Sequence, residues 1–455
     1  MSSSSTGGPH ILAYPYPDSG HIIPLLDLTH RLIARGLTVT VLVTAESLPL
    51  LQPLLSTHPS SIQPLVLSAP PGESRVAKVH AMSQLHYPTL LQWFRSHPSP
   101  PVAIISDYFL GWTHHLACEL GVRRLVFSPS GAFGFSILLS LWRDLPKLDM
   151  GSPLSFPQIP HSPVFPWRQI SRYYRNGKEG DPDWESNRSN MLDDIASWGV
   201  VFNSFAELER VYLEHMRAEL GHDRVWAVGP LLPPEDSVVG PANRGGPSSL
   251  PCHEVMTWLG ARYDSSVVYV CFGSRFSLPR KQMDALAEAL ECSGVQFILC
   301  VRRHVGDDDD DKEGAIPDGF EDRVEGRGLV IKGWAPQVAI LSHRAVGAFL
   351  THCGWNSVLE GVAAGVVMLT WPLGADQFTN AKLLVEQLGV GIRAGEDTEN
   401  IPESTELARL LAESVNATRP ERVRVKKLRD AALDAIKGGS SDKDLDDLLK
   451  RLSVA

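Results

Sequence analysis

The stretch that most narrows what this chain can fold into runs from Trp334 to Gln377. It begins Trp334-Ala335-Pro336-Gln337, carries His352-Cys353-Gly354-Trp355-Asn356-Ser357 and then Glu360, and closes with Trp371-Pro372 and Asp376-Gln377. Val346 to Leu350 reads as a short apolar strand, and Asn356 to Ala364 as a helix that Gly365 can terminate. The polar cluster 351–357 therefore falls on the turn between strand and helix. Such a turn aims free backbone N–H groups and the positive end of the helix dipole at one point, which makes an anion site. His352, Asn356 and Ser357 add side-chain donors there. Trp334 offers a flat face on which a base can stack, and Glu360, Asp376 and Gln377 are groups that pair with ribose or hexose hydroxyls. Partners for a base, a diphosphate and a polyol in one segment indicate a nucleotide sugar.

Over its full length this segment resembles the plant secondary product glycosyltransferase box of the family-1 UDP-dependent glycosyltransferases. The resemblance implies that Trp334 stacks on uracil, that Glu360 holds the ribose, and that His352, Asn356 and Ser357 hold the phosphates. It further implies that Trp355, Asp376 and Gln377 hold the sugar, with Gln377 favouring glucose. Ala335, Gln337 and Gly354 of the box, with Ser274 of the turn Phe272-Gly273-Ser274, complete the donor set expected on the same ground. Read alone, that Gly-Ser turn is also an ordinary turn. One departure stands out: the family usually has Gly-Val-Pro where this chain has Gly365-Val366-Val367. The change removes a rigid turn element and no ligand contact.

Length and composition set the outer bounds. At 455 residues the chain is too long for one ordinary core, so two domains are expected. Apolar residues at 43% and charged residues at 21% belong to a soluble globular protein. A formal net charge of −10 argues against a nucleic-acid or anionic-membrane surface, while leaving room for a local anion site built from backbone dipoles. The 6 cysteines show no paired spacing and no zinc-like C-x-x-C, which fits reduced thiols. The Ser/Gly-rich start lacks the basic and apolar regions of a signal peptide. No apolar run approaches the roughly 20 residues that span a bilayer. A cytoplasmic monomer acting on two small molecules is the expectation.

Two rounds of strand–helix alternation run along the chain. The first has strands at His10–Tyr14, 37–43, 101–106 (ending at Asp107), 124–127 and 199–202. A helix starts near Pro24 and stops at Gly36, another reaches Leu120, and a third spans about 205–219. Residues 145–190, rich in Pro and Ser, read as a long irregular segment lining or covering a cleft. The second round has strands at 267–272 and 295–301, a helix at 279–292, a loop over 302–327, then the box, a helix at about 379–387, a short strand to Ile392, helices around 403–415 and 418–437, and an amphipathic helix over Asp442 to Leu452. This is an α/β pattern of βαβ units, hence two doubly wound, Rossmann-like parallel sheets. The predicted division is an acceptor domain over 1–228, a Pro/Gly/Ser-rich linker over 229–251, a donor domain over 252–437 and a terminal helix over 438–455. The resemblance names this the GT-B fold, with two domains facing across a cleft and the last helix returning to the first.

Gly20-His21-Ile22-Ile23-Pro24 follows the first strand and resembles the family's Gly-His-x-x-Pro. In open α/β sheets the carboxyl ends of strands face the ligand crevice, and Asp107 occupies such an end too. An imidazole is the usual base near neutral pH, and a carboxylate behind it fixes the tautomer. Alone, His21 would sooner be a structural histidine and Asp107 a helix cap. Beside the box, the resemblance makes them the dyad that deprotonates an acceptor hydroxyl. The family's loop usually reads Gln-Gly-His where this chain has Asp18-Ser19-Gly20-His21, and the sequence leaves the role of Asp18 open. Phe109, Phe133, Trp142 and Trp371 are candidates for a flat acceptor slot, although each is individually a core type.

Three motifs are set aside. Asp307–Asp311 is a like-charged run in a polar loop and no metal site is expected from it. His352-Cys353 lacks metal-ligand spacing, and the sequons at Asn187 and Asn416 have no secretory signal. The expected activity is an inverting, metal-independent transfer from UDP-glucose to a hydroxyl of a small phenolic acceptor, with no cofactor. Another UDP-sugar (rhamnose, xylose or galactose) or attack by carbon or nitrogen is the alternative. A nicotinamide oxidoreductase would need a Gly-x-Gly-x-x-Gly after a strand, which is absent. A nucleotide-sugar-binding protein without catalysis would have lost His21 and Asp107.

Overall fold

The computed structural model describes residues 8–146, 152–234, 240–302 and 314–453, so the Asp307–Asp311 run lies outside the described residues. Two compact units emerge. One takes the chain through Leu232 and again from Asp434; the other is Pro233–Leu433. The segment predicted as a linker is thus divided, and residues 240–251 belong to the second unit.

The first unit is built on seven parallel strands: β1 (His10–Tyr14), β2 (Thr38–Thr44), β3 (Ile62–Leu67), β4 (Ala103–Asp107), β5 (Arg123–Ser128), and, after a small antiparallel hairpin of β6 (Leu154–Ser155) and β7 (Val164–Phe165), β8 (Gly199–Phe202) and β9 (Val225–Ala227). Their order is β3-β2-β1-β4-β5-β8-β9, so the chain switches direction across the sheet between β1 and β4. β1 and β4 are buried along their whole length, as central parallel strands covered on both faces must be. Ala13 pairs with Ile105 and Tyr14 with Ser106, which brings the carboxyl ends of β1 and β4 side by side. That pairing sets His21, on the turn and helix after β1, against Asp107, the last residue of β4.

Three sequence expectations need correction in this unit. The helix after β1 is Ser19–Ile33, so Pro24 lies inside it rather than in its first turn. The Asp18 carbonyl takes the N–H groups of His21 and Ile22, which starts the helix five residues before the proline. Residues 145–190 are not irregular throughout: besides the hairpin they hold the helix Pro182–Ile195. Asp181 caps that helix by accepting from the N–H of Asp183 and Trp184, with Pro182 behind it, a start signal visible in the sequence. The stretch 45–100, left unassigned by the strand–helix reading, contains β3 and the 22-residue helix Arg75–Ser96. β3 is an edge strand, which is why it tolerates Pro64.

The second unit has six parallel strands: β10 (Val267–Cys271), β11 (Gln296–Val301), β12 (Gly328–Lys332), β13 (Val346–Thr351), β14 (Val367–Thr370) and β15 (Gly391–Arg393), in the order β12-β11-β10-β13-β14-β15. β12 and the short helix Phe320–Arg323 are additions to the predicted loop and its flank. Here too the direction switches, between β10 and β13, which places the turns after those strands together at one end of the sheet. Gly365, at φ +71°, ends the box helix, and Val367, where the family usually has proline, opens β14 in register with Ala348. Among the described residues no helix is long and apolar enough to cross a membrane. The 6 cysteines are all free.

Candidate active site

In the first unit His21 lies in the opening turn of its helix, 13% exposed, while the Asp107 side chain is fully buried. His21 Nδ1 donates to Asp107 Oδ2 at 2.7 Å. Asp107 Oδ1 accepts from the Phe109 N–H at 2.9 Å, so the residue caps the following turn with one oxygen and orients the histidine with the other. With Nδ1 engaged, His21 has Nε2 left for chemistry. Phe109 lies against the imidazole at 4.8 Å between ring centroids, and Tyr16 and Tyr108 flank it at 5.5 and 5.8 Å. The Asp18 residue that the sequence left open stands at the helix start.

The four acceptor candidates have different surroundings. Only Phe109 touches the pair. Phe133 is buried and stacked on Tyr212 at 4.4 Å, and Trp142 is buried between Tyr174 and Trp184. Trp371 belongs to the second unit, where it is fully buried against Phe272. These three are core residues in this structure. A residue the sequence reading passed over, Arg75, stacks its guanidinium on Phe109 at 3.9 Å and on Tyr173 at 4.0 Å and donates to Asn187 Oδ1. No local pattern marks Arg75, because its partners are more than thirty residues away. Asn187 itself is buried, so its sequon is not an accessible one.

In the second unit the box residues meet at the turn between β13 and the helix Trp355–Ala364. Gly354 precedes this ten-residue helix, and the first N–H groups have no intrahelical acceptor. The imidazole of His352 is wedged between glycines. A Cβ placed on Gly273 or on Gly354 would come within 2.5 Å of its Nε2. Gly273 also sits at φ +77°, so both space and backbone demand glycine there. Burial pushes the His352 pKa down to about 4, which keeps the ring neutral at neutral pH. Its Nδ1 is buried and has no partner among the described residues. A buried nitrogen of this kind, beside helix-start N–H groups, fits a phosphate oxygen. Burial raises the Cys353 thiol well above its ordinary range, so the neighbouring sulfur is no nucleophile.

Around this turn the remaining side chains form two linked groups. Gln337 Nε2 donates to Glu360 Oε2 at 2.6 Å and to Ser357 Oγ at 3.1 Å, while its Oε1 accepts from Tyr269. The Gln337 amide thus holds Glu360 and Ser357 in place. Trp334 keeps a partly exposed face, and Ala335 is buried, leaving only its backbone as a possible contact. On the other side, Gln377 Oε1 accepts from the N–H of Leu373 and Gly374, at 2.8 and 3.0 Å. Asn380, not picked out in the sequence, donates to both Asp376 Oδ2 and the Cys353 carbonyl and so ties the two ends of the box together. Trp355 is buried, Asn356 half-buried, and Ser274 lies exposed on the turn after β10. Arg244, like Arg75 and Asn380, has no sequence signal; its guanidinium pairs with Glu360. Among the described residues no cluster of three or more His, Cys, Asp or Glu could hold a metal ion.

Two Rossmann-like units, one with a His–Asp pair at the carboxyl ends of its strands and the other with a glycine-wedged anion turn, define a GT-B glycosyltransferase. Comparison with known proteins narrows the class. The family model described as "UDP-glucoronosyl and UDP-glucosyl transferase" matches residues 230–410. UDP-glycosyltransferase 89B2 of Stevia rebaudiana is 51% identical, covering 99% of this chain and 99% of that one. The flavonol 3-O-glucosyltransferase UGT89B1 of Arabidopsis thaliana is 52% identical over 97% of this chain and 96% of its own. The crystal structure of Arabidopsis thaliana UGT89C1 complexed with UDP-L-rhamnose superimposes with a TM-score of 0.81 at 39% identity, covering 99% of this chain and 100% of that one. The chain belongs to the plant family-1 UDP-glycosyltransferases.

Proposed function

We propose that this enzyme transfers glucose from UDP-glucose to a hydroxyl of a phenolic acceptor of the flavonol class, with inversion at the anomeric carbon. The observation that carries the catalytic reading is the 2.7 Å bond from His21 Nδ1 to the buried Asp107. It sets the tautomer with Nε2 unprotonated and ready to take a proton. The acceptor hydroxyl gives its proton to Nε2 as its oxygen attacks the anomeric carbon. The bond from that carbon to the diphosphate oxygen breaks, and its electron pair leaves with UDP. Asp107 supports the imidazolium, and the N–H groups of the 351–357 turn with neutral His352 support the charge on the leaving diphosphate. Trp334 stacks on uracil, Glu360 takes ribose hydroxyls, and Trp355, Asp376 and Gln377 take the hexose. The proposed reaction uses neither metal nor cofactor and takes place in the cytoplasm. Glucose and a flavonol acceptor are favoured by the glucosyltransferase that is 52% identical.

A second donor has a specific observation behind it: a flavonol 7-O-rhamnosyltransferase of Arabidopsis thaliana is 40% identical over the whole chain. The test is to incubate the enzyme with UDP-glucose or UDP-rhamnose and a panel of flavonols, benzoates and other phenols, following products by mass. A hexose on a flavonol is expected. The rate should fall by about 10²–10⁴-fold in His21→Ala, and in Asp107→Asn because the amide holds the wrong tautomer. Product from UDP-rhamnose alone would replace glucose in the proposal. Unchanged rates in both variants would remove the dyad.

A further inference from the structure

The segment just after the first unit's boundary is more than a connection. Arg244 donates from Nη1 to Glu360 Oε1, and the two side chains are only 9% and 5% exposed. Gln337 holds the other oxygen of the same carboxylate at 2.6 Å. A carboxylate this deeply buried is costly to keep ionised without a cation beside it. With Arg244 on one oxygen and Gln337 on the other, the carboxylate still has lone pairs to accept further hydrogen bonds. Arg244 acts on Trp334 as well, through its backbone: the indole Nε1–H donates to the Arg244 carbonyl at 3.2 Å. Three more bonds tie the same segment to Trp334. Ser249 N–H and Ser248 Oγ both donate to the Trp334 carbonyl, at 2.8 and 3.1 Å, and Trp334 N–H donates to Ser249 Oγ at 2.9 Å. Residues 244–249 therefore hold, together, the ring expected under the base and the carboxylate expected at the ribose.

We infer that Arg244 is a positioning residue of the donor site, which holds the Glu360 carboxylate aimed at the ribose hydroxyls while its carbonyl sets the plane of Trp334. The inference rests on the proposed ribose role of Glu360 and goes beyond it. Arg244 acts through Glu360, so its contribution should exist only for a nucleotide that carries the hydroxyls. The backbone contact to Trp334 survives substitution of the side chain, so stacking should persist.

The test measures binding of UDP and of 2′,3′-dideoxy-UDP to the full-length wild type, Arg244→Ala, Arg244→Lys, Glu360→Gln and the double variant Arg244→Ala/Glu360→Gln by calorimetry, with thermal melting as a check on folding. Arg244→Ala should weaken UDP about 10- to 30-fold, the scale of a charge-assisted hydrogen bond, and leave dideoxy-UDP within about threefold of wild type. Arg244→Lys should recover part of the loss, and it keeps the test informative if the alanine variant is unstable. In the Glu360→Gln background the Arg244→Ala change should add little. Steady-state kinetics should show the same loss in KM for the UDP-sugar with kcat nearly unchanged. Equal weakening of both nucleotides would overturn the inference, because the role would then be structural. Tighter UDP binding in Arg244→Ala would overturn it too, because Arg244 would then compete with the ribose. If Glu360→Gln itself fails to separate UDP from dideoxy-UDP, the ribose reading of Glu360 falls. If Glu360→Gln separates them and Arg244→Ala does not, only the Arg244 inference falls.

Discussion

His352 shows how one side chain can be legible by type and illegible by state. Its place in the box marks it as a phosphate partner by resemblance, but nothing in the local sequence says that it is neutral. That follows from burial between Gly273 and Gly354, which lowers its pKa to about 4. In the unfolded chain the ring titrates near 6.5. Folding therefore excludes a proton that the unfolded state accepts, and the linked stability is fully present above about pH 6.5 and is lost as the pH falls toward 4. Between pH 7 and pH 5 the loss from this one group is about 2 kcal/mol. Urea unfolding of the second unit should show that loss in the wild type and a clearly shallower one in His352→Gln. Identical slopes in the two would mean that the ring is protonated without cost. Asp107 makes the complementary point. The sequence offers two roles for it, helix cap and partner of His21, and the structure assigns one carboxylate oxygen to each.

At the scale of elements, the last helix is the clearest case of a pattern whose spacing gives the element but not its side-chain partners. Its amphipathic spacing predicts a helix, and the structure has one at Ser440–Ser453 with Leu445, Leu448 and Leu452 buried. Its acidic face finds partners that the spacing does not name. Asp442 pairs with Arg31 and Arg35, Asp447 accepts from Trp226 Nε1 at 2.8 Å, and Asp444 accepts from the Ala227 N–H at 2.7 Å. The helix thus covers β9 at the edge of the first sheet. Leu445→Ala should cost the first unit about 2–4 kcal/mol in denaturant unfolding. Asp446→Ala should cost less than about 1 kcal/mol, since Asp446 is 68% exposed and its pair with Arg35 is solvated. A large loss from Asp446 and a small one from Leu445 would mean that charge, not burial, docks the helix. The helix Pro182–Ile195 shows the opposite failure: Asp181-Pro182 is a legible start, but the surrounding Pro and Ser content masks it.

At the scale of the molecule, the groups assigned to the nucleotide all lie within Pro233–Leu433, while His21 and Asp107 lie in the other unit. A ligand that binds one unit stabilises that unit first. UDP at about 100 times its Kd should add about 2.7 kcal/mol to the second unit. In hydrogen exchange the protection should concentrate at 333–337 and 351–361, with β1 and β4 little changed. Protection spread evenly over both sheets would show that the nucleotide reports on the whole chain rather than on its own unit.

The alternation of strands and helices, the box and the Gly-His turn lie in short stretches of chain, and the sequence alone determined where they fall: two Rossmann-like sheets, the box on a strand–turn–helix segment, and His21 and Asp107 near the ends of two strands. These depend on local periodicity, on turn residues and on motifs whose spacing is itself the signal. Only the tertiary structure decided which residues far apart in sequence become neighbours. It set Arg244 on Glu360, Arg75 on Phe109, Asn380 across the two ends of the box, and Phe133, Trp142 and Trp371 inside the core. The physical reason is the same in each case. A buried charge or ring takes whatever partner the packed elements bring within reach, and that choice is made by strand order and helix packing, which no single stretch of the chain records.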